Sequence, residues 1–336
     1  MKSVFSSPPP SFSNLEISDI LKEHFHISDI IKDLYSDRDQ NFLIRLDNDK
    51  KAILKISNPA ESLDILNMQD AATQYINSRD SEIKIPFQIG EITRIQIHDQ
   101  YYFSRIVDYL EGEFLKDLIL KEKDYNKLGS FIGRLSLSLD GFTHPAADRQ
   151  FEWDIRRIDL VRSRLNIIRE ENKRSLINRY LNIFEKNYLN KIHGLRMAII
   201  HNDSNDHNIL INKSENTMGI IDFGDMVFSY QVAEVAVCMT YIALTKDDPF
   251  LPMAQVLKGY QSFFPLTDAE IEFIIYLVCM RLCISVTMSS WRYTLFPENE
   301  YLLTSQKSAW DLLEKLDNEN LEDWSQKFLE YIKEHA

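Results

Sequence analysis

The feature that most constrains the fold of this chain is a polar segment enclosed by apolar residues. Residues 201–208 read HNDSNDHN and lie between the apolar runs MAII and ILI. Two Asp, three Asn and two His therefore occur within eight positions. A further apolar run, MGII, ends directly before Asp222. Short apolar runs of this kind are consistent with buried strands, so we expect a strand-loop-strand island that presents many side-chain oxygens in one place.

The composition is that of a folded protein with an acidic surface. Of the 336 residues, 44% are hydrophobic and 26% are charged, which is sufficient for a large core. The excess of 51 acidic over 38 basic side chains gives a net charge of −13. Such a charge repels phosphate backbones and anionic membrane surfaces. We therefore expect neither nucleic acid nor a membrane as a partner, and the sequence leaves the oligomeric state open.

The sequence favours a cytoplasmic location. The three cysteines show neither a disulfide framework nor zinc spacing, so we expect core thiols. The N-terminal residues MKSVFSSPPPSFS contain no apolar stretch of the kind a secretion signal needs. The most apolar segment, residues 271–288, includes Glu272 and Arg281, whereas a membrane-spanning helix needs roughly 18 or more apolar residues in a row. We predict a buried helix there.

The N-terminal part of the chain has the pattern of a small sheet with one helix. Apolar residues alternate on both sides of the sequence DNDK, which predicts a hairpin within residues 34–56. The segment that follows Pro59 has apolar residues at helical spacing. Short strands are predicted at 92–97 and 101–107.

The C-terminal part is predicted to be mostly helical, apart from the island around residues 197–223. The helical patterns occupy residues 113–139, 151–190, 227–245, 266–292 and 300–334. We therefore predict an N-terminal domain at residues 1–108 and a larger C-terminal domain at 109–336.

The polar segment has the spacing of a phosphoryl-transfer site. His201, Asp203 and Asn208 form H-x-D-x-x-x-x-N, and Asp222 follows fourteen residues later within IIDFGD. Kinases place a catalytic loop and a metal-binding Asp at this spacing. The reaction needs a carboxylate near the attacking hydroxyl and hard oxygen ligands for Mg²⁺ on the phosphates. Asp203 is therefore the candidate catalytic residue, and Asn208 and Asp222 are the candidate metal ligands.

The same chemistry requires a cation on the phosphates. Lys55 lies in the second strand of the predicted hairpin, directly before a helix, where the phosphate-binding lysine of kinases lies. Either Glu61 or Gln69 can pair with it. The nine glycines form neither a GxGxxG nor a GxxxxGK[ST] pattern, so the dinucleotide and Walker A loops are absent from the sequence.

Two other interpretations of the polar segment remain. In the first, the segment is only a turn, because Asp and Asn are common in short turns between strands, where their side chains bond to the nearby backbone. A hydrolytic metal site would use His201, Asp203, Asp206 and His207, but these residues lack the regular spacing of a ligand set. We expect His201 to brace the loop and not to ligate a metal.

Several segments resemble the aminoglycoside phosphotransferase and choline kinase superfamily, and within it the hydroxylysine kinase branch. HNDSNDHNILIN together with GIIDFGDMVFSYQVAEVAV carries the resemblance, and YSDRDQNF, AILKISNPAE and WDIRR add to it. These segments extend from about residue 34 to 245. The resemblance implies an α+β, protein-kinase-like two-lobed fold, with a small antiparallel-sheet N-lobe that binds nucleotide and a larger, mostly helical C-lobe.

The resemblance also implies Mg²⁺ as cofactor, ATP or GTP as phosphoryl donor, and a small-molecule hydroxyl as acceptor. Asp203 matches the catalytic base of the family, Asn208 and Asp222 match its metal ligands, and Lys55 matches its phosphate-binding lysine. Gln69 occupies a helix position that is Glu in many members. The phosphate-covering turn contains no glycine, so we expect side-chain contacts to phosphate from Arg38, Gln40 and Asn41.

A hydroxylated amino acid such as 5-hydroxylysine is the expected acceptor. Its ammonium group needs acids, for which Asp206 and Glu234 are candidates, and its carboxylate suits an arginine, for which Arg281 is the candidate. Trp153 is a candidate for the wall of the pocket. Each has a structural alternative: Glu234 as a solvated helix residue, Arg281 as the partner of Glu272 or another acid, and Asp154, beside Trp153, as a helix-dipole partner.

Other acceptors and other functions are possible for such a sequence. Homoserine, choline and aminoglycosides are alternative acceptors, and choline would favour an aromatic cage. A protein kinase is disfavoured because no A-P-E element or activation segment follows DFG. A non-catalytic binding protein with a kinase fold has no physical need for Lys55, Asp203, Asn208 and Asp222 together.

Overall fold

The computed structural model describes residues 3–27, 29–47, 49–97, 99–191 and 194–335. The chain forms two compact units. Unit 1 comprises Met1–Gln74 and Lys84–Glu111, and unit 2 comprises Tyr75–Ile83 and Gly112–Ala336. Each is described by itself below.

Unit 1 is built on an antiparallel sheet. Its elements are α1 (Asn14–Ile20), a π-helical turn (Leu21–Phe25), β1 (Asp29–Leu34), β2 (Gln40–Arg45), β3 (Lys51–Ile56), α2 (Leu63–Arg79, whose last residues belong to unit 2), β4 (Gln88–Ile97) and β5 (Gln100–Asp108). The strand order is β1-β2-β3-β5-β4. The predicted hairpin is therefore confirmed as β2 and β3. Strand β4 begins earlier than predicted, and α1 and β1 were not predicted.

The alternation of side chains separates the two faces of this sheet. Phe42, Leu54 and Ile56 are fully buried on one face, where Phe12 and Ile17 from the N-terminal segment share their core. Because successive side chains in a strand point to opposite faces, Lys55 lies on the other face. Its cross-strand neighbours in the register are Asn41 and Arg105. The apolar pattern of β2 and β3 thus fixes which face carries the lysine.

Unit 2 combines short strands with long helices. Its elements are β6 (Glu113–Phe114), α3 (Glu122–Leu139), α4 (Ile158–Arg164), α5 (Glu171–Lys191), β7 (Met197–Ile200), β8 (Ile209–Asn212), β9 (Thr217–Ile220), β10 (Val227–Tyr230), α6 (Ala233–Ala243), α7 (Phe250–Gln261), α8 (Asp268–Leu295), α9 (Gln306–Asp317) and α10 (Leu321–Glu334). Short 3-10 helices lie at Leu115–Asp117, Pro145–Ala147, Leu165–Ile167, Phe223–Asp225 and Glu300–Leu303. One sheet has the order β6-β8-β9, and β10 pairs with β7.

Three predicted helical stretches were wrong at their N-terminal ends. Residues 113–117 form a strand and a 3-10 turn, because β6 pairs with β8. Residues 151–157 form turns, since the buried Asp154 carboxylate accepts hydrogen bonds from Arg156 and Ser229. Residues 227–230 form β10, because they pair with β7. Each correction arises from a partner that is distant in sequence or from a buried polar contact.

The predicted buried helix is confirmed as α8. Thr267 and Glu270 form a capping box at its N-terminus, where each side chain accepts a hydrogen bond from the backbone N–H of the other residue. By length and apolar composition α8 could cross a membrane, but 89% of its most apolar window is buried within the protein. The helix therefore serves as the central packing element of unit 2, with α5, α6, α9 and α10 against it.

Candidate active site

The polar segment forms a loop between β7 and β8, as its sequence predicted. His201 is fully buried, and its two ring nitrogens have different partners. Nδ1 lies 3.3 Å from the Asp203 backbone nitrogen, and Nε2 lies 3.2 Å from the Ile221 carbonyl oxygen. Nδ1 therefore accepts a hydrogen bond while Nε2 donates one, which corresponds to the neutral imidazole. His201 thus ties the loop to the chain just before Asp222, which is the bracing role expected for it.

Glu234 of α6 holds the start of the loop. Its Oε2 accepts hydrogen bonds from the backbone nitrogens of His201 at 2.6 Å and Asn202 at 3.3 Å. Its backbone oxygen accepts one from the Ser204 hydroxyl at 3.1 Å. Only 1% of Glu234 is exposed, so it is not a solvated helix residue. These contacts favour a positioning role over the predicted contact with a substrate ammonium.

The Asp203 carboxylate lies at the centre of the site and receives three side-chain donors. Oδ1 accepts hydrogen bonds from Arg281 Nη2 at 2.9 Å and Asn205 Nδ2 at 2.8 Å. Oδ2 accepts one from Asn208 Nδ2 at 2.7 Å. A carboxylate offers about four lone-pair sites, two on each oxygen. The two sites of Oδ1 are therefore filled, while Oδ2 retains one for a further donor.

Opposing influences act on the ionisation of Asp203. Burial raises the pKa of its carboxyl to about 6, and the negative charge of Asp225 acts in the same direction. The Arg281 guanidinium opposes them and favours the carboxylate. About a fifth of the side chain, 19%, remains exposed. Asp203 is thus a partly accessible carboxylate whose pKa is suited to proton transfer near neutral pH.

Arg281 has a different partner from the one expected. Only 1% of its side chain is exposed, and it forms an ion pair with Asp203. The guanidinium carbon lies 4.8 Å from the ring centroid of Trp153 and 5.5 Å from that of Tyr241. Nη1 also lies 3.4 Å from the Trp153 carbonyl oxygen. These contacts fill the surroundings of Arg281 with protein groups, and Glu272 is not its partner. Trp153, a predicted wall residue, contacts the Arg281 guanidinium that binds Asp203.

Asn208 and Asp222 offer oxygen atoms that suit a magnesium ion. The two hydrogen bonds of the Asn208 amide both use Nδ2 and go to Asp203, so Oδ1 is the atom able to ligate a cation. Asp222 has a left-handed backbone, with φ 63°, and accepts a hydrogen bond from the Gly224 nitrogen. Arg149 fixes the following turn through the carbonyl oxygens of Gly224 and Met226. An amide oxygen and a carboxylate are hard donors of the kind Mg²⁺ requires.

The hydrolytic alternative has little support. Within the described ranges, no group of three or more His, Cys, Asp and Glu side chains is arranged to hold a metal ion. Both ring nitrogens of His201 are engaged in hydrogen bonds. Asp206 lies in the loop with its pKa raised by burial, and its backbone oxygen accepts a hydrogen bond from Lys116. Its predicted contact with a substrate ammonium stays a prediction.

In unit 1, Gln69 has a partner that the sequence did not indicate. Lys55 lies on β3 directly opposite Arg105 of β5. The Arg105 guanidinium donates a hydrogen bond to Gln69 Oε1, and both side chains are buried. Gln69 was expected to pair with Lys55, and Arg105 is the donor that we did not expect. No sequence pattern pointed to Arg105, because β5 was predicted from its apolar residues alone.

The glycine-free turn between β1 and β2 is fixed by the N-terminal segment. Both amide atoms of Gln40 bond to the backbone of Phe12, at 2.8 and 2.9 Å. The Arg38 guanidinium carbon lies 4.9 Å from the Phe5 ring centroid. Asn41 lies opposite Lys55 in the sheet. Gln40 therefore supports the turn, and the predicted phosphate contacts of Arg38 and Asn41 stay predictions.

Residues 31–269, more than half of the chain, match the family model described as "Phosphotransferase enzyme family". The chain belongs to this phosphotransferase family. The residues matched include Lys55, Asp203, Asn208 and Asp222.

The curated relatives of this phosphotransferase include hydroxylysine kinases. The protein of Mus musculus is 29% identical over 228 residues, which cover 64% of this chain and 61% of the relative. That of Xenopus laevis is 31% identical over 227 residues, covering 63% and 61%. The matches to both therefore span about 61% of the relative's length.

Solved structures of related enzymes share the fold of this family member. A microcompartment-associated aminopropanol kinase has a TM-score of 0.71 at 17% identity, covering 90% of this chain and 97% of its own. An amicoumacin kinase in complex with AMP-PNP and Ca²⁺ has a TM-score of 0.68 at 14% identity, covering 89% and 94%. The predicted fold class, a kinase-like α+β fold with an antiparallel N-terminal sheet and a helical C-terminal region, is confirmed.

Proposed function

We propose that this protein transfers the γ-phosphoryl group of ATP or GTP to a hydroxyl of an amino-alcohol or hydroxy-amino acid, with 5-hydroxylysine as the leading acceptor. The observation that carries the proposal is the Asp203 carboxylate, which three side chains hold in one orientation. The similarity to hydroxylysine kinases supports the choice of acceptor.

Asp203 has the properties of the group that accepts the hydroxyl proton. Oδ1 already has two donors, from Arg281 and Asn205, so the hydroxyl would donate to the remaining site of Oδ2. Proton acceptance by a positioned carboxylate contributes typically about 10²–10⁴-fold to a rate. The rest of the rate enhancement in phosphoryl transfer comes from position and charge.

Asn208 Oδ1 and the Asp222 carboxylate would hold Mg²⁺. When bound, the ion neutralises the charge that develops on the nucleotide phosphates. Asn208 also orients Asp203 through Nδ2, so its two polar atoms serve different partners. On unit 1, Lys55 supplies the cation for the phosphates.

Choline is a weaker candidate than a hydroxy-amino acid. A quaternary ammonium needs exposed aromatic faces, but the Trp153 and Tyr241 rings near Asp203 already carry the Arg281 guanidinium. No observation favours a choline cage over this arrangement.

The proposal is tested by phosphoryl transfer from ATP and from GTP, each with Mg²⁺. The acceptors are 5-hydroxylysine, homoserine, choline, ethanolamine and an aminoglycoside, and Asp203→Ala is the control protein. We expect turnover with 5-hydroxylysine that the substitution abolishes. Nucleotide binding without acceptor-dependent turnover would instead support the non-catalytic alternative.

A further inference from the structure

Arg164, at the end of α4, is a guanidinium without an acidic partner among the residues that the structure describes. Nη1 lies 2.9 Å from Met288 Sδ, and the guanidinium carbon lies 3.8 Å from the ring centroid of Trp291. Within the described part of the chain, no Asp or Glu forms an ion pair with it. Neighbouring arginines have such partners: Arg156 with Asp154, Arg157 with Asp159, and Arg162 with Glu185.

The surroundings of Arg164 penalise an unpaired charge. The side chain is half-buried between α4 and α8, and burial lowers the pKa of the guanidinium. Arginine nevertheless stays protonated in proteins. This cation has a thioether and an indole as its neighbours, in partly apolar surroundings. A bound anion would stabilise it, because the anion replaces the solvation that burial removes. The site is therefore chemically suited to a carboxylate.

Helix α8 connects Arg164 to the catalytic loop. Arg281 of this helix binds Asp203, and Met288, seven residues further along, contacts Arg164. Seven residues are two helical turns, so both side chains lie on the same face, separated by about 10 Å along the axis. Ser285 lies between them on that face and is half-buried, unlike most of its neighbours. Arg281 and Met288 are themselves buried, so Ser285 is the accessible position on this face, between the candidate base and the Arg164 cation.

We propose that Arg164 binds the carboxylate of the acceptor, whose carbon chain passes the half-buried Ser285 of α8. The inference rests on the proposed kinase function and narrows its substrate class. The acceptor would be a hydroxy-amino acid with its hydroxyl several carbons from the carboxylate. Glu152 is the acid whose charge acts most strongly on Arg164, and it suits the α-ammonium of such a substrate. The carboxylate role expected for Arg281 thereby belongs to Arg164.

The test compares two acceptors that differ only in the carboxylate: 5-hydroxylysine and its decarboxylated counterpart, 1,5-diaminopentan-2-ol. Arg164→Met removes the charge but keeps an apolar stem. We expect this variant to raise the KM for 5-hydroxylysine by about 10- to 100-fold, as loss of a charged hydrogen-bonded pair does. The kcat and the KM for the diamine should change little. Arg164→Lys should recover part of the affinity, because it restores a point charge without the planar guanidinium.

Arg169→Met is the matched control, since it removes the same charge from an exposed position after α4. The expected result is an unchanged KM for both acceptors. Calorimetric binding of 5-hydroxylysine, with and without MgATP, gives a readout independent of turnover. Arg164-dependent binding without turnover would sustain the carboxylate site while refuting the kinase proposal. Turnover of 5-hydroxylysine with an unchanged KM in Arg164→Met, or a wild-type preference for the diamine, would overturn the inference and leave the kinase proposal intact.

Discussion

Replacing Arg281 with glutamine is expected to move the pH dependence of phosphoryl transfer to higher pH. Arg281 Nη2 lies 2.9 Å from Asp203 Oδ1, and the guanidinium is almost completely buried. Its positive charge favours the ionised form of Asp203, against burial and the charge of Asp225. Asp203 must be ionised to accept the hydroxyl proton, so the rate falls as the pH drops through its pKa. Without the guanidinium, that fall should begin at a higher pH.

The magnitude follows from the pKa of Asp203, about 6. An adjacent arginine lowers the pKa of a carboxyl by about 1–3 units, so its loss would place the pKa at about 7–9. At pH 7 the ionised fraction would then fall from about nine-tenths to between about a half and about one hundredth. The corresponding loss of kcat/KM is about 2- to 90-fold at pH 7, and it should largely disappear by about pH 9–10.

The assay is the profile of kcat/KM for 5-hydroxylysine between pH 5 and pH 10, at saturating MgATP. Arg281→Lys is the companion variant, because it keeps the charge and should retain a midpoint near that of the wild type. Removing one partner of a buried ion pair costs about 3–5 kcal/mol of stability, so thermal unfolding must confirm that Arg281→Gln is folded at each pH. A uniformly lower profile with an unchanged midpoint would refute this account of the Asp203 environment.

Three other outcomes are expected. Asp203→Ala should abolish turnover and also lower the Tm, because the buried Arg281 loses its partner; a folded variant with near-wild-type kcat would contradict the assignment of the base. Asp222→Ala should raise the Mg²⁺ concentration needed for half-maximal activity, whereas an unchanged dependence of activity on Mg²⁺ would exclude Asp222 as a ligand. Burial raises the pKa of Glu270, but the hydrogen bonds from Arg196 and from the Thr267 backbone, together with the Arg196 charge, outweigh it and lower the pKa below its ordinary 4.5. The stability this pair contributes is therefore complete above about pH 4.5 and lost on further acidification, so the Tm difference between the wild type and Glu270→Gln should shrink toward pH 3.

The sequence was sufficient to predict the polar loop between β7 and β8, because its signal is local. Short apolar runs define β7, β8 and β9, and the polar residues between them have a recognisable spacing. Helix α8 was predicted almost to its ends from its long apolar pattern, and a capping box of Thr267 and Glu270 marks its start. The same signal, in Ser13 and Glu16, marks α1, which we did not predict. Local signals such as apolar runs and capping residues therefore locate helices, strands and loops well.

Contacts between distant segments escaped prediction. Strand β10 was predicted as the start of a helix. Its pairing with β7 joins residues some thirty positions apart, so no local pattern indicates the strand. Arg281 was expected to bind the acceptor carboxylate or a structural acid such as Glu272, and its actual partner, Asp203, lies 78 residues away in the sequence. The sequence also does not show that Arg164 lacks an acidic partner in the described structure. WDIRR and the residues after it contain several arginines with acids close by in the sequence. Which of them lacks a partner depends on the fold.

Asn208 shows why the site needs an amide at this position. Its Nδ2 donates to Asp203 at 2.7 Å, which leaves Oδ1 for a cation. A carboxylate there would place two negative oxygens in contact and raise the pKa of Asp203 further. An apolar side chain would leave Oδ2 without its donor, so Asp203 could rotate about the contacts of Oδ1. A side chain with a donor and an acceptor on one carbon could orient the proposed base and face a bound cation at the same time. Under the proposed mechanism, the requirement for asparagine is therefore imposed by Asp203 as much as by Mg²⁺.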